Sequence, residues 1–461
     1  MISVAFVTLG CPKNEVDSAA MRALVAGSRY ELCADTRDAD VIVVNTCSFI
    51  ATAAEASVET ILDLAQDRGD LPTARKNKGD RRFPSPLILV TGCLVNRYGE
   101  GELEAELPEV SAFVPIEGES DLLRVIEALT GEPAGAPEAG NEHPAASAFG
   151  QAGAPSAYLM IADGCDRTCS YCTIPAIRGP YRSRTPDELL AEARQLVAGG
   201  ARELVLIAQD TTAYGHDLPD RPTLAALVAQ LCEETDLAWL RLMYLQPEGV
   251  TDELIEAIAT HPQVVRSLEM PLQHCASRLL RAMQRAGGRA QFTALIARLR
   301  ARLPDLALRT TLITGFPGER EEDFAELLDF VRETGFDYVG VFPFSPEDET
   351  AAAALEDQVD EETRLARAQT LRDAADEIGW ERAAAHVGQT IEVLVEGFDP
   401  EEGRWQGRAP FQAPDIDGVV WIDPGAPGAL KPQPGAIMKV TIQDTLLYDL
   451  EGVTRHEKET A

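Results

Sequence analysis

Three cysteines spaced Cys-x3-Cys-x2-Cys constrain this chain more than any other feature. They lie in the run Gly164-Cys165-Asp166-Arg167-Thr168-Cys169-Ser170-Tyr171-Cys172. The run follows an apolar stretch at 158–162 that has the make-up of a buried strand. Three thiolates on one short loop suit three irons of a 4Fe–4S cluster and leave the fourth iron open to a non-protein ligand. A structural zinc site is the competing reading. Zinc normally takes four ligands in paired groups such as Cys-x2-Cys, and no fourth Cys or His lies close by in the sequence. The iron–sulfur reading is preferred on that ground.

The surroundings of the triad repeat a pattern. Apolar runs at 158–162, 204–208, 239–245, 267–272, 307–313 and 338–344 alternate with helix-period segments such as 186–198, 224–232 and 292–303. Six β/α units in a row predict a partial (βα)6 barrel over 156–384, with function at the carboxyl ends of its strands. Cys165 falls just beyond the first run, and Gln209-Asp210 just beyond the second.

A second cysteine set is dispersed but regular. Short β-branched runs at 4–9, 40–44 and 87–90 are followed by Cys11, Cys47 and Cys93, and then by helix-compatible segments. This predicts an N-terminal parallel α/β domain over 1–130 with all three cysteines at its ligand-binding edge. They could hold a second cluster, again with one open iron. The alternative is three buried cysteines that serve only as small apolar side chains. That packing role is the expectation for Cys33, Cys232 and Cys275, which lack such placement.

The remaining segments complete an α/β multidomain plan. Residues 67–85 carry six basic and three acidic side chains and read as a surface loop. Residues 131–155 are rich in Gly, Pro and Ala and read as a linker. A charged, Ala-rich helix is expected over 361–385. From 385 to 455 the pattern turns to period two, with strand-like runs at 390–396, 404–409, 418–422 and 436–443, as in a small antiparallel β-barrel.

Charge and cysteine usage narrow the function. The 461 residues include 41 basic and 75 acidic side chains, a formal net charge of −34, which repels bare nucleic acid and attracts basic partners. From residue 384 onward there are six basic and thirteen acidic residues, whereas an RNA-binding barrel needs a basic groove. Nine cysteines, an odd number, argue against a disulfide framework and for metal chemistry. No apolar run approaches the ~18 residues of a membrane span. The N-terminus lacks the basic region of a signal peptide, so a cytoplasmic location is expected.

Taken together, these motifs resemble the methylthiotransferases of the radical S-adenosylmethionine (SAM) superfamily across nearly the whole chain. The resemblance rests on Thr8-Leu9-Gly10-Cys11-Pro12-Lys13-Asn14, Asn45-Thr46-Cys47, Thr91-Gly92-Cys93, the triad loop, and Gly315-Phe316-Pro317-Gly318-Glu319. It implies a central radical SAM barrel, a C-terminal TRAM barrel, and two 4Fe–4S clusters. One would sit on Cys11, Cys47 and Cys93. The other would sit on Cys165, Cys169 and Cys172 with exchangeable SAM, and Tyr171 would line the adenine pocket.

Gln209-Asp210-Thr211, Tyr214-Gly215, Arg241-Leu242-Met243-Tyr244 and Pro271-Leu272-Gln273-His274 are similar to the branch that modifies a ribosomal protein. That branch methylthiolates the β-carbon of an aspartate in the small-subunit protein S-twelve. The resemblance implies that one SAM methylates a sulfur held at the first cluster and a second SAM gives the radical that opens the C–H bond. A basic ribosomal protein, free or on the ribosome, would be the partner of a monomeric enzyme, with no membrane involved and the electron donor unknown. A tRNA adenosine methylthiotransferase and a non-catalytic iron–sulfur protein remain the alternatives. Lys13 and Asn14 could orient the first cluster or cap the following helix, and His274 could face the substrate or sit in the core.

Overall fold

A computed structural model describes residues 1–70, 86–135, 153–423 and 431–454. The chain divides into two compact units. The first holds Met1–Ala152 together with Asp163–Arg167 and Cys172–Tyr181, and the second holds Gly153–Ala162, Thr168–Tyr171 and Arg182–Ala461.

The first unit is built on a five-stranded sheet. In spatial order its strands are Glu31–Leu32, Ser3–Thr8, Val41–Thr46, Leu87–Gly92 and Ala112–Val114. All neighbours pair in parallel. The strand Val41–Thr46 is buried at every residue, as a central parallel strand covered on both faces should be. Alternate residues feed two cores. Val4, Val41, Val43 and Leu89 pack with Met21, Val25, Leu122 and Ile126 on one face. Ala5, Ile42, Val44, Ile88 and Val90 pack with Ala54, Ile61 and Leu94 on the other.

The helix Pro12–Ala26, which follows the first strand, therefore covers one face, and the helix Ala51–Asp70, which follows Val41–Thr46, covers the other. The connections diverge between these two neighbouring strands. Such a switch point is where doubly wound sheets bind ligands. Two edge strands, Glu31–Leu32 and Ala112–Val114, are too short to stand out as apolar runs. The expected loop at 67–85 needs correction at its start: the helix before it continues to Asp70, and 71–85 lies outside the described residues. Most of the expected linker, 136–152, also lies outside them.

The second unit contains a six-stranded, all-parallel sheet. Its strands, in chain order and spatial order alike, are Ser156–Met160, Glu203–Ile207, Trp239–Leu242, Val264–Glu269, Ala307–Thr314 and Tyr338–Pro343. This is the expected partial barrel, with strand ends displaced by a few residues. The helix Glu361–Ala384 follows. A closed five-stranded barrel completes the unit: Thr390–Asp399, Arg404–Arg408, Val420–Asp423, Ile437–Leu446 and Asp449–Thr454. The last strand was not among the expected runs. It pairs antiparallel with Ile437–Leu446 but parallel with Val420–Asp423, so one parallel pairing closes a barrel that is otherwise antiparallel.

Buried charge joins this barrel to the six-stranded sheet. Glu203, fully buried, accepts from Arg241 Nε at 2.7 Å and from Arg408 Nη2 at 2.5 Å. Arg408 also donates to Glu396 at 2.6 Å and to Ser156 Oγ at 2.6 Å. Burial alone would raise the Glu203 carboxyl, but the two guanidinium groups overcome it and hold the group at about 2. Arg309 pairs with Asp417 in the same layer. Arg241 thus serves the join between sheet and barrel.

Candidate functional site

The first cysteine set is assembled by strand register. Thr8 stands beside Asn45, and Asn45 beside Thr91, so three strands end level with one another. Cys11 then caps the helix Pro12–Ala26, and Cys93 opens the helix Cys93–Tyr98. Cys47 is fixed between them, where its N–H donates to Ser57 Oγ at 3.1 Å.

Asn14 sits at the centre of this edge and is fully buried. Its amide nitrogen donates to Leu9 O and Thr46 O, both at 2.9 Å, which orients its oxygen toward the thiols. Cys11 Sγ lies 3.8 Å from that oxygen and Cys93 Sγ 4.0 Å. Asn14 thus ties two strand ends together and presents its oxygen to the thiols. Two glycines make room. Gly10 has φ +105°, and a Cβ there would stand 2.7 Å from Cys47 Cβ. Gly92 has φ +93°, and a Cβ there would fall 2.3 Å from Asn45 Oδ1. Both positions exclude side chains on conformation and on space.

Charged groups lie under the thiols. Arg178 donates to Asp17 Oδ2 at 2.7 Å and to Asn14 Oδ1 at 3.1 Å, and it reaches Asp163 at 3.4 Å. Its side chain is 1% exposed, which leaves it no solvent partner to speak of. Burial would favour loss of its charge, but Asp17 and Asp163 prevail and keep it protonated. Burial pushes the Cys93 thiol up to about 11, against the opposing charge and hydrogen bond of Arg178. Burial also raises the Cys47 thiol. It raises the Asp17 carboxyl, and pushes the Glu119 carboxyl up to about 8 where it accepts from Thr91 Oγ1 at 2.9 Å. Arg178, Asp17 and Glu119 were not singled out in the sequence. The one available signal was a charged residue inside the short apolar helix Ile174–Arg178.

The second cysteine set occupies one loop. At the ends, Gly164 has φ +76°, and a Cβ there would overlap Pro180 O at 2.1 Å. Cys165 N donates to Gly179 O at 3.1 Å. Beyond Cys172, Thr173 Oγ1 donates to Phe49 O at 3.2 Å, and Ile177 O accepts from Asn96 Nδ2 at 2.9 Å. In the middle, Ser170 N donates to Met283 O at 3.1 Å and Ser170 O accepts from Ala352 N at 2.8 Å. Arg285, itself buried, lies 3.9 Å from Cys169 Sγ while donating to Gln246 Oε1 at 2.5 Å and Pro271 O at 2.7 Å. Tyr171, in the same part of the loop, is half-buried.

Other expected residues are structural. His274 is fully buried, and its Nδ1 accepts from Cys275 N and Ala276 N, both at 2.9 Å. Its ring holds the turn before the helix Ser277–Ala282 and does not face solvent. Gly315 N donates to Glu319 Oε2 at 2.9 Å, and Glu319 pairs with Arg367 at 2.8 Å, so that motif makes a rigid corner. Cys232 and Cys275 are buried, and burial pushes both thiols up to about 12. Cys33 packs at the edge of the N-terminal core. These three behave as core side chains. Among the described residues no helix is long and apolar enough to cross a membrane.

Comparison with known proteins fits the same division. The radical SAM superfamily model matches residues 159–331, the uncharacterised family UPF0004 matches 3–115, and the TRAM domain matches 387–454. The solved structure of the radical SAM methyltransferase TsrM from Kitasatospora setae, with cobalamin and an iron–sulfur cluster, shares the fold. Its TM-score is 0.53 at 13% identity, covering 76% of this chain and 74% of that one. Fold and matches define a radical SAM enzyme with a TRAM barrel.

Curated relatives are more specific. The ribosomal protein uS12 methylthiotransferase RimO of Geobacter sulfurreducens is 44% identical over 97% of this chain and 98% of its own. The RimO of Pelotomaculum thermopropionicum is 42% identical over 98% of this chain and 99% of its own. The chain belongs to the RimO family of radical SAM methylthiotransferases.

Proposed function

We propose that this enzyme replaces a β-hydrogen of an aspartate in ribosomal protein uS12 with a methylthio group, in the cytoplasm and as a monomer. The identity of 44% to a uS12 methylthiotransferase over 97% of the chain carries the reading. We further assign one 4Fe–4S cluster to Cys11, Cys47 and Cys93, and a second, with SAM at its open iron, to Cys165, Cys169 and Cys172. The division of labour follows the boundaries 1–130, 156–384 and 385–455.

The residues suit these groups. Among the described residues no three Cys, His, Asp or Glu side chains stand close enough for a single metal ion. A 4Fe–4S cluster places each thiolate on a different iron, so its ligands stand farther apart. Cys11 and Cys93 bring their sulfurs to 3.8 and 4.0 Å from Asn14 Oδ1, and burial raises the thiols of Cys47 and Cys93, so binding a metal there would release protons. When bound, the two clusters and SAM would supply a carbon-centred radical and the sulfur to be transferred.

The protein's own groups hold and orient. A saturated C–H next to a carboxylate is not acidic enough for a side-chain base, so no acid–base pair is needed at the target carbon. Arg285 steadies the middle of the triad loop through Cys169. Tyr171 would line the adenine pocket beside it. The acidic C-terminal barrel suits a basic ribosomal protein better than tRNA.

Incubation of the reduced, reconstituted enzyme with SAM tests the reading. The uS12 protein, free or in ribosomes, should gain the mass of one methylthio group in place of hydrogen. Gain on tRNA alone would favour the adenosine-modifying alternative. Absence of 5′-deoxyadenosine would favour a non-catalytic iron–sulfur protein.

A further inference from the structure

Arg178 is a guanidinium that the fold buries beside the three-cysteine site, where Lys13 is buried as well. Arg178 lies six residues beyond Cys172, on the chain segment that leaves the second cysteine loop. That segment, Cys172–Tyr181, belongs to the same compact unit as Cys11, Cys47 and Cys93. Two hydrogen bonds fasten it there, Thr173 to Phe49 O and Asn96 to Ile177 O. The guanidinium cannot swing away. Asp17 holds Nη2 at 2.7 Å, Asp163 holds Nη1 at 3.4 Å, and Asn14 Oδ1 accepts from Nη2 at 3.1 Å. Asp163 lies two residues before Cys165, so the clamp takes one carboxylate from the start of the second cysteine loop and its guanidinium from beyond the loop's end.

A guanidinium buried this deeply, held charged only by the carboxylates around it, needs a reason. Removing a guanidinium from water is expensive, and an apolar side chain paired with apolar neighbours would pack as well. The residue does more than neutralise Asp17: its Nη2 also donates at 3.1 Å to Asn14 Oδ1, the oxygen that lies 3.8 Å from Cys11 Sγ and 4.0 Å from Cys93 Sγ. A fixed positive charge close to sulfur ligands stabilises the more negative, reduced form of an iron–sulfur cluster. Hydrogen bonds and net charge near the sulfurs are the protein's main means of setting cluster potential.

We infer that Arg178 is a positioning residue for the first cluster: clamped by Asp17 and Asp163, it raises that cluster's reduction potential. The inference rests on the assignment of a cluster to Cys11, Cys47 and Cys93. Its consequence is that the first site depends on Asp163, two residues before Cys165. The carboxylate that steadies Arg178 sits on the loop that carries the other cluster's ligands, so a change in that loop alters the field at the first site.

The test uses the full-length chain with Cys165, Cys169 and Cys172 all changed to Ala, so that only the first site can be loaded. Iron analysis comes first. About four irons per chain upholds the cluster assignment, and iron-free protein overturns that assignment. The midpoint potential is then followed by electron paramagnetic resonance during redox titration. Arg178→Gln should disfavour reduction by about tenfold, or about 59 mV for a one-electron couple. Asp163→Asn should shift the potential the opposite way, by a few-fold in the same equilibrium, because it removes a negative charge from the clamp and leaves Arg178 in place. A purely structural role for Arg178 would produce no such pair of opposed shifts. Equal potentials in parent, Arg178→Gln and Asp163→Asn proteins of equal iron content overturn the inference. Should Arg178→Gln fail to hold iron, Asp163→Asn alone decides, and an unshifted potential there overturns it.

Discussion

The two cysteine sites solve one chemical problem by opposite structural means. Cys165, Cys169 and Cys172 lie within eight consecutive residues, and their spacing is fixed by a single loop. Cys11, Cys47 and Cys93 span more than eighty residues and meet only because three parallel strands end level. The loop site is a local property of the sequence. The dispersed site is a property of the fold, placed at the switch point of a doubly wound sheet. The dispersed site should therefore be fragile toward changes that leave its cysteines intact, and the loop site should fail chiefly through its own cysteines.

Several variants break or sharpen this contrast. The largest effect belongs to Cys169→Ala. It should reduce 5′-deoxyadenosine formation to background while the far-ultraviolet circular dichroism stays unchanged, because the loop contributes ligands and not core. Gly10→Ala comes next. The added Cβ meets Cys47 and requires a residue at φ +105°. Iron at the dispersed site should be lost, with about 1–3 kcal/mol of stability. Iron counts should fall by about half in a protein that still cleaves SAM. Retention of full iron would mean the strand ends are less tightly packed than the distances imply.

Arg408→Leu probes a fold-level contact away from both sites. It leaves Glu203 buried with Arg241 as its remaining guanidinium partner, and about 3 kcal/mol of stability should be lost in denaturant titration. Iron loading at both sites should persist. The same carboxylate makes stability depend on pH. Glu203 is held at about 2, below its ordinary value of 4.5, so its contribution is present above that ordinary value and is lost as pH falls toward 2. Acid unfolding of the parent should carry this loss, and Glu203→Gln should flatten it. The smallest effect on activity is expected from His274→Ala, which removes the acceptor of two buried N–H groups and leaves a cavity. It should cost about 2–3 kcal/mol of stability and leave SAM cleavage near the parent rate.

Legibility in the sequence follows the same division between local and global. The six central strands and the triad were readable because each announces itself within a short window. The placement of Cys11, Cys47 and Cys93 was readable because each closes an apolar run. The strands Glu31–Leu32 and Ala112–Val114 were not, since two or three edge residues carry no period. Asp449–Thr454 was missed because the barrel's closing pair is set by register with two partners and not by a strong apolar alternation.

Charged residues were the hardest to place. Arg241 stood in a branch motif and His274 at a strand end with two open roles, yet one bonds Glu203 in the layer beneath the barrel and the other is buried where its ring holds a turn. Arg178 stood in no motif that drew attention, although it is clamped by Asn14 and Asp17 beside the dispersed cysteines. A buried charge takes its meaning from its partners, and those partners lie far away in sequence.

The most direct test compares the two sites in one tube. Cys47→Ala enzyme, reduced and supplied with SAM and uS12, is assayed for 5′-deoxyadenosine and for the mass of uS12. The account predicts that SAM is still cleaved and that uS12 gains no methylthio group. A methylthiolated uS12 made by this variant would contradict the role given to the dispersed site.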